Sequence, residues 1–318
     1  MDTFLQQLVN GLTLGSVYAL LAIGFSLIFG VLNLVTFAHG EVLMVGAFAG
    51  YFAWRVVPGN IPLAIAVGAA GAFVLALGIE RISFRPFRGA PHMTTLLSTL
   101  GVSIMLLNSG ILLFGAETRS LDNPPRLGQV MLGTARVSVL QLLIIGVSLA
   151  MVGALTLFIA RTRWGRAMRA ISQDLDTARL MGIPTTRLTV LAFAIGSALA
   201  GVAGVLIGLY YNAFSPMMGV DAGLKAFAAT VLGGLGSVPG VVASAVLLIA
   251  LPEVARPVAD ARWLLYGVLL LLLVRFRPQG LLGREPKQAL GRGQVNASPK
   301  AAEAGLGTQP EFAGTQGK

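Results

Sequence analysis

The sequence predicts an all-α polytopic membrane protein with about eight transmembrane spans, some of them broken helices. Three observations carry this. Of 318 residues, 55% are hydrophobic, and mean hydropathy is +0.80. Only 11% are charged, well below the roughly 25% of a soluble globular chain. The charges sit in short segments between apolar runs near 4–32, 42–57, 61–79, 94–114, 138–160, 188–211, 224–251 and 263–276, and a spanning helix needs roughly 20 apolar residues.

Several functions are excluded by composition. A formal charge of +10 would suggest nucleic acid on a soluble chain, but no aromatic platform accompanies the basic residues, so no nucleic-acid partner is expected. The chain has no cysteine, which rules out disulfides, thiolate catalysis and cysteine-bound metal. No His-Glu-x-x-His pattern or acidic cluster occurs, so no metal, cofactor or catalytic residue is predicted. Gly24-Phe25-Ser26-Leu27 superficially resembles a nucleophile's surroundings, but with histidines only at 39 and 92 no triad is evident. Met1-Asp2-Thr3 lacks a basic leader, so the first apolar run is expected to remain as a span.

Charge sets the expected orientation. Segment 80–93 carries Glu80, Arg81, Arg85 and Arg88. Segment 161–187 carries six arginines against Asp174 and Asp176. The tail from Arg275 has seven basic and three acidic residues. All three regions should face the cytoplasm by the positive-inside bias, whereas 115–137 and 212–225 should face outward. Trp54, Trp164, Tyr210, Tyr211 and Trp263 fall near span ends as interfacial anchors. Residues 1–283 form the membrane domain on this reading, and 284–318 form a disordered cytoplasmic tail rich in Gly, Gln, Ala and Pro.

Individual elements follow. Span one carries Gly11, Gly15 and Ala19 at four-residue spacing; span six carries Gly196, Ala200, Gly204 and Gly208. Such ladders allow close helix approach. Each of these spans precedes a polar turn, Phe37-Ala38-His39-Gly40-Glu41 in one case and Met218 to Gly223, including Asp221, in the other. With span one running inward and span six outward, this is the arrangement of an inverted repeat. His39 and Glu41 have two readings. At membrane depth they would form a pathway or proton relay; at the surface they would satisfy helix ends, the reading the residues favour. The run 224–251 is interrupted at Gly233-Gly234-Leu235-Gly236-Ser237-Val238-Pro239-Gly240. This predicts two short helices around a break that must be buried or line an aqueous path. In 161–187, Ala170, Asp174, Ala178 and Gly182 recur every four residues, giving one helical stripe on a short basic amphipathic helix. Gly182 and Pro184 end it. It suits either anionic membrane lipid or a soluble partner.

At this loop the chain resembles the permeases of bacterial ABC importers, whose cytoplasmic coupling loop has a small-residue stripe and a glycine. It is most similar to the branched-chain amino-acid permeases of the LivH type. The resemblance lies in Asn10-Gly11-Leu12-Thr13-Leu14-Gly15-Ser16-Val17-Tyr18-Ala19-Leu20, Phe37-Ala38-His39-Gly40-Glu41, Glu80-Arg81 with Arg85-Pro86, Gly165-Arg166-Ala167, and Val231 to Gly240. Together these cover about 4–283; one departure is Thr36, where the family pattern has Asn. The resemblance implies a permease subunit for hydrophobic amino acids in the bacterial inner membrane. Its implied partners are a second similar permease, two cytoplasmic ATPases and an external substrate-binding protein. Gly165, Ala170, Asp174, Ala178 and Gly182 would couple to the ATPases. No Gly-x4-Gly-Lys-Ser/Thr loop occurs and the chain has only four lysines, so ATP hydrolysis is expected of the partners. A urea, short-amide or sugar permease of the same kind is the alternative, and a proton-coupled secondary transporter is the alternative of another class.

Overall fold

The structure is a computed structural model. It describes residues 2–32, 36–87, 92–125, 127–132, 135–234, 236–254, 267–268, 271–272 and 275. The chain divides into units 1–284 and 285–318. Trp263, Arg88, most of the eighth apolar run and the tail lie outside the described residues.

The apolar runs fold as helices. They are α1 (Asp2–Leu32), α2 (His39–Val56), α3 (Ile61–Ile79), α4 (His92–Phe114), α5 (Val139–Arg161), α6 (Arg163–Gln173), α7 (Leu175–Leu180), α8 (Thr185–Tyr211), α9 (Met218–Gly233) and α10 (Val238–Val254). Local chemistry sets several boundaries. Asn60 caps α3 by accepting from the Leu63 N–H at 3.0 Å. Ser138 and Gln141 form a reciprocal capping box at the start of α5. Asn212 ends α8 in the left-handed conformation at φ 48°, which a short polar side chain tolerates.

Among the described residues, five helices are long and apolar enough to cross a membrane: Leu5–Leu32, Ile61–Phe84, Met93–Phe114, Val139–Arg161 and Thr185–Tyr211. α2, α9 and α10 are helical but shorter, and α2 and α9 each carry an acid in the first turn, Glu41 and Asp221. Burial sorts the five. The apolar window of α1 is 89% buried and that of α8 is 78% buried, against 11% for α4. The centre is therefore α1 and α8, with α2, α9 and α10 packed on them. α3, α4 and α5 turn large apolar side chains outward, such as Val74, Met105, Leu112 and Leu149. A continuous exterior of this kind is suited to lipid and unfavourable in water.

The central helices approach closely where side chains vanish. A Cβ on Gly24 of α1 would stand 2.5 Å from the Gly196 carbonyl oxygen of α8, and one on Gly196 would stand 2.6 Å from the Gly24 oxygen. The ladder on α8 meets several partners in turn: Gly196 faces α1, Gly204 faces Leu43 of α2, and Gly208 faces the Phe214 ring. A four-residue step advances a little more than one helical turn, so the ladder winds around the helix.

Segment 115–137 departs from the all-α expectation. It holds an antiparallel hairpin, β1 (Gln129–Leu132) with β2 (Ala135–Ser138), in which Gln129 faces Ser138. The Arg136 N–H donates to the Gln6 side chain at 3.0 Å, placing the start of α1 beside the hairpin. Arg119 and Phe214 exchange backbone hydrogen bonds of 2.8 Å, and the Leu121 N–H donates to Asn212 Oδ1 at 2.9 Å. Segments 115–137 and 212–217 therefore lie at one end of the bundle.

Trp54 departs from the anchor expectation. It is buried in a cluster with Tyr51, Phe214, Val205 and Leu209. Trp164 and Tyr211 are exposed, as anchors would be.

Candidate functional site

Two helix starts meet inside the protein. The polar turns read from the sequence are not loops: His39-Gly40-Glu41 opens α2, and Met218 to Gly223 forms the first turns of α9. Gly40 and Gly219 touch through their backbones. A Cβ on Gly219 would lie 2.6 Å from the Gly40 carbonyl oxygen, and a Cβ on Gly40 would collide with the Gly219 carbonyl. Only residues without a Cβ permit this contact. No side chain caps either helix start.

Polar groups crowd the contact without satisfying one another. His39 and Glu41 are each 2% exposed, and Thr36 is 1% exposed. Glu41 Oε1 accepts a long 3.4 Å hydrogen bond from Ser103 Oγ of α4. Glu41 Oε2 is buried with no partner, as is Thr36 Oγ1. A Cβ on Gly219 would stand 2.9 Å from that free Oε2, so the oxygen is aimed at the first turn of α9. Neither His39 ring nitrogen has a well-formed hydrogen bond, although the Leu21 carbonyl faces the ring. The ring stands edge-on to Phe25 at 5.5 Å, and Phe25 meets Phe227 of α9 at 5.7 Å. His39 and Glu41 are thus buried within the protein rather than set at its surface, while Glu41 does stand in the first turn of α2, as the helix-end reading expects. Unpartnered buried polar groups cost roughly 1–3 kcal/mol each.

Asp221 is exposed and lies outside this junction. The break expected at 233–240 is present: α9 stops at Gly233, Gly234 takes φ +95° and Gly236 takes φ +85°. These conformations favour glycine. The freed Gly236 N–H donates to Ser26 Oγ at 3.1 Å, so the serine of the nucleophile-like stretch is a structural acceptor. Gly233 packs on the Val241 backbone, Ser244 donates to the Ala229 carbonyl, and Thr230 donates to the Ala22 carbonyl at 3.1 Å. Pro239 is exposed in the first turn of α10.

The structure adds residues that the sequence reading missed. Ser103 was unremarkable in an apolar run. Lys225 was assigned to an outer loop, yet it lies within α9 with Nζ 5.5 Å from the Tyr18 ring centroid. The signal was the recurrence of small residues at Gly219, Ala222, Gly223, Ala226 and Ala229, which extends a helical face back before residue 224. Among the described residues, no group of three or more His, Cys, Asp or Glu comes together to hold a metal.

The cytoplasm-assigned segment differs from a single stripe. The chain turns at Asp174 (φ −156°, ψ 114°), separating α6 from α7. Asp174 caps α7 by accepting from the Asp176 and Thr177 N–H groups, both at 2.9 Å. The Thr177 bonds, foremost, hold its carboxyl below the usual range. Ala170, Asp174, Ala178 and Gly182 therefore share no common face. Ala178 is buried, Ala170 is half-buried, and Asp174 and Gly182 are exposed. Gly165 packs on the Ile159 backbone of α5, and Met168 and Ile171 bury the same side of α6. Arg163, Arg166 and Arg169 stay exposed, so α6 is amphipathic as expected. Beyond it, Leu180 is 88% exposed and Met181 76% exposed.

Long apolar helices around a buried polar junction of helix starts define a membrane transport protein. The family model described as the permease component of branched-chain amino acid transport systems matches residues 7–275, and the chain belongs to that family. It is 38% identical over 296 residues to the high-affinity branched-chain amino acid permease protein BraD of Pseudomonas aeruginosa, covering 88% of this chain and 96% of the relative. It is 39% identical, with the same coverage, to LivH of Escherichia coli K12. LivM of Salmonella typhimurium is 28% identical over 89% of this chain and 72% of its own length. No solved structure matches the chain significantly.

Proposed function

We propose that the chain is the membrane-spanning permease subunit of a bacterial ABC importer for branched-chain, hydrophobic amino acids. The observation that carries this is the 38–39% identity to BraD and LivH across 88% of this chain and 96% of theirs. A sugar reading has less support: similarity to the xylose permease protein XylH of Haemophilus influenzae is confined to 110 residues, 32% of this chain.

The proposed assembly pairs this chain with a second permease, as the similarity to both LivH and LivM suggests. Two cytoplasmic ATPases supply the energy, and an external binding protein supplies the substrate. In this reading α1 with α2 and α8 with α9 are the corresponding elements of an inverted repeat, and α2 and α9 carry its two helix starts. The Gly40–Gly219 contact between their starts supports it. The junction of His39, Glu41 and these glycines lies on the pathway. The α6–α7 segment docks the ATPases, with exposed Leu180 and Met181 as the contact rather than buried Ala178.

The test is reconstitution of the whole complex in vesicles. ATP-dependent uptake of leucine from its loaded binding protein is expected, and it should persist when a protonophore collapses the proton gradient. Uptake of urea or xylose but not leucine would replace the substrate. Uptake by this chain alone, driven by a proton gradient, would establish the secondary-transporter reading instead.

A further inference from the structure

We infer that Glu41 is the group that receives the α-ammonium of the translocated amino acid, at the junction where α2 and α9 meet. The inference rests on the amino-acid reading above and assigns its charge recognition to one carboxylate. Glu41 is almost wholly buried, yet only one of its two oxygens is engaged, by the long bond from Ser103. The other oxygen has no partner and is aimed at Gly219, where a side chain would otherwise stand. An acid buried inside the protein with an idle oxygen is expensive to keep. A cation that arrives and leaves is the partner that accounts for it.

The surroundings select the kind of cation. Among the described residues, Glu41 belongs to no group of three or more His, Cys, Asp or Glu, which disfavours a divalent ion. Aromatic rings lie on the elements that meet here: Phe25 of α1 meets both His39, two residues before Glu41, and Phe227 of α9. A small cation carrying a hydrophobic side chain fits an acid where such helices converge. The start of α9 lies next to the free oxygen; Ser215 takes the Met217 and Met218 N–H groups, while those of Gly219 and Val220, in the same first turn, have no intrahelical partner. They favour an anion, so the α-carboxylate of the same molecule has donors beside its ammonium. The Gly40–Gly219 contact closes the site in this conformation, and the substrate enters when the two helix starts part.

The experiment uses the complete complex in vesicles, with uptake normalised to permease that co-purifies with its partners. Glu41→Gln preserves shape and removes the charge. Leucine uptake should fall at least tenfold, and Glu41→Asp should recover a measurable part. A diazirine analogue of leucine, photolysed during turnover, should crosslink within 36–44 or 217–227 in the wild type and not in Glu41→Gln. Equal uptake in the wild type and Glu41→Gln, or crosslinks only outside those segments, would overturn the assignment alone. A wild-type complex that moves no amino acid would overturn both this inference and the function it rests on.

Discussion

At the scale of single residues, burial decides which substitutions test function and which test folding. Ala178 is enclosed within the chain, so Ala178→Trp inserts a large ring into packed space. Overpacking of this kind typically costs about 1–3 kcal/mol. We expect lower yield and faster thermal inactivation of the complex, measured by size-exclusion chromatography after heating. Leu180 and Met181 are exposed, and no packing is lost when they change. Leu180→Asp with Met181→Asp should leave yield unchanged and reduce substrate-stimulated ATP hydrolysis together with uptake. Stimulation equal to wild type in this variant would remove the docking role from the segment. The sequence showed the small residues but not their burial, because every-fourth spacing marks a face only while one helix continues, and the chain turns at Asp174.

Elements behave as their ends dictate. Gly234 ends α9 at φ +95°, where an L-residue pays roughly 1–2 kcal/mol. Gly234→Ala should therefore lower the inactivation temperature of the purified complex, whereas Pro239→Ala, at an exposed first-turn position, should leave it almost unchanged. Equal effects would mean that the break is not held by glycine's conformational freedom. The α7 cap depends on the Asp174 carboxylate, whose pKa is lowered. A lowered value means that the cap's contribution is complete above the ordinary carboxylate range and is lost only as pH falls through the depressed value. The α7 cap itself should thus be unchanged from pH 6 to 8 (roughly the range where such a group stays ionised), read as constant hydrogen-exchange protection of the Asp176 and Thr177 amides. Asp174→Asn should keep an acceptor and the coupling with it. Much of this was legible beforehand: the break at 233–240 follows from its glycines, and α3 begins and ends where its apolar run does. The first turns of α2 and α9 were not, since His39, Glu41 and Asp221 read as surface residues until a tertiary contact buries the first two.

For the whole molecule, orientation is the property most open to measurement. The hairpin, the start of α1 and the 212–217 segment gather at one end, in keeping with the charge asymmetry that puts 161–187 on the other side. The natural absence of cysteine makes single-cysteine labelling clean. Val130→Cys should react with an impermeant thiol reagent on intact cells, and Ser172→Cys only after the membrane is opened. The reverse pattern would invert the map. Composition announced the membrane and the helices, because a hydrophobic chain in lipid must satisfy its own backbone. It could not announce which helices lie at the centre, because α1, α4 and α5 are all apolar enough to span and differ only in what surrounds them.

The central place of α1 also bears on how the chain is made. This helix is synthesised well before the helices that cover it, α8 and α10. During most of translation its closely approachable face, with Gly15 and Gly24, must rest against lipid or an insertion factor, holding open a place for segments not yet made. A chain truncated before residue 185 would leave that face permanently bare, a ready signal for membrane proteases. Supplying 185–318 as a separate polypeptide in the same cell should rescue the truncated half from degradation.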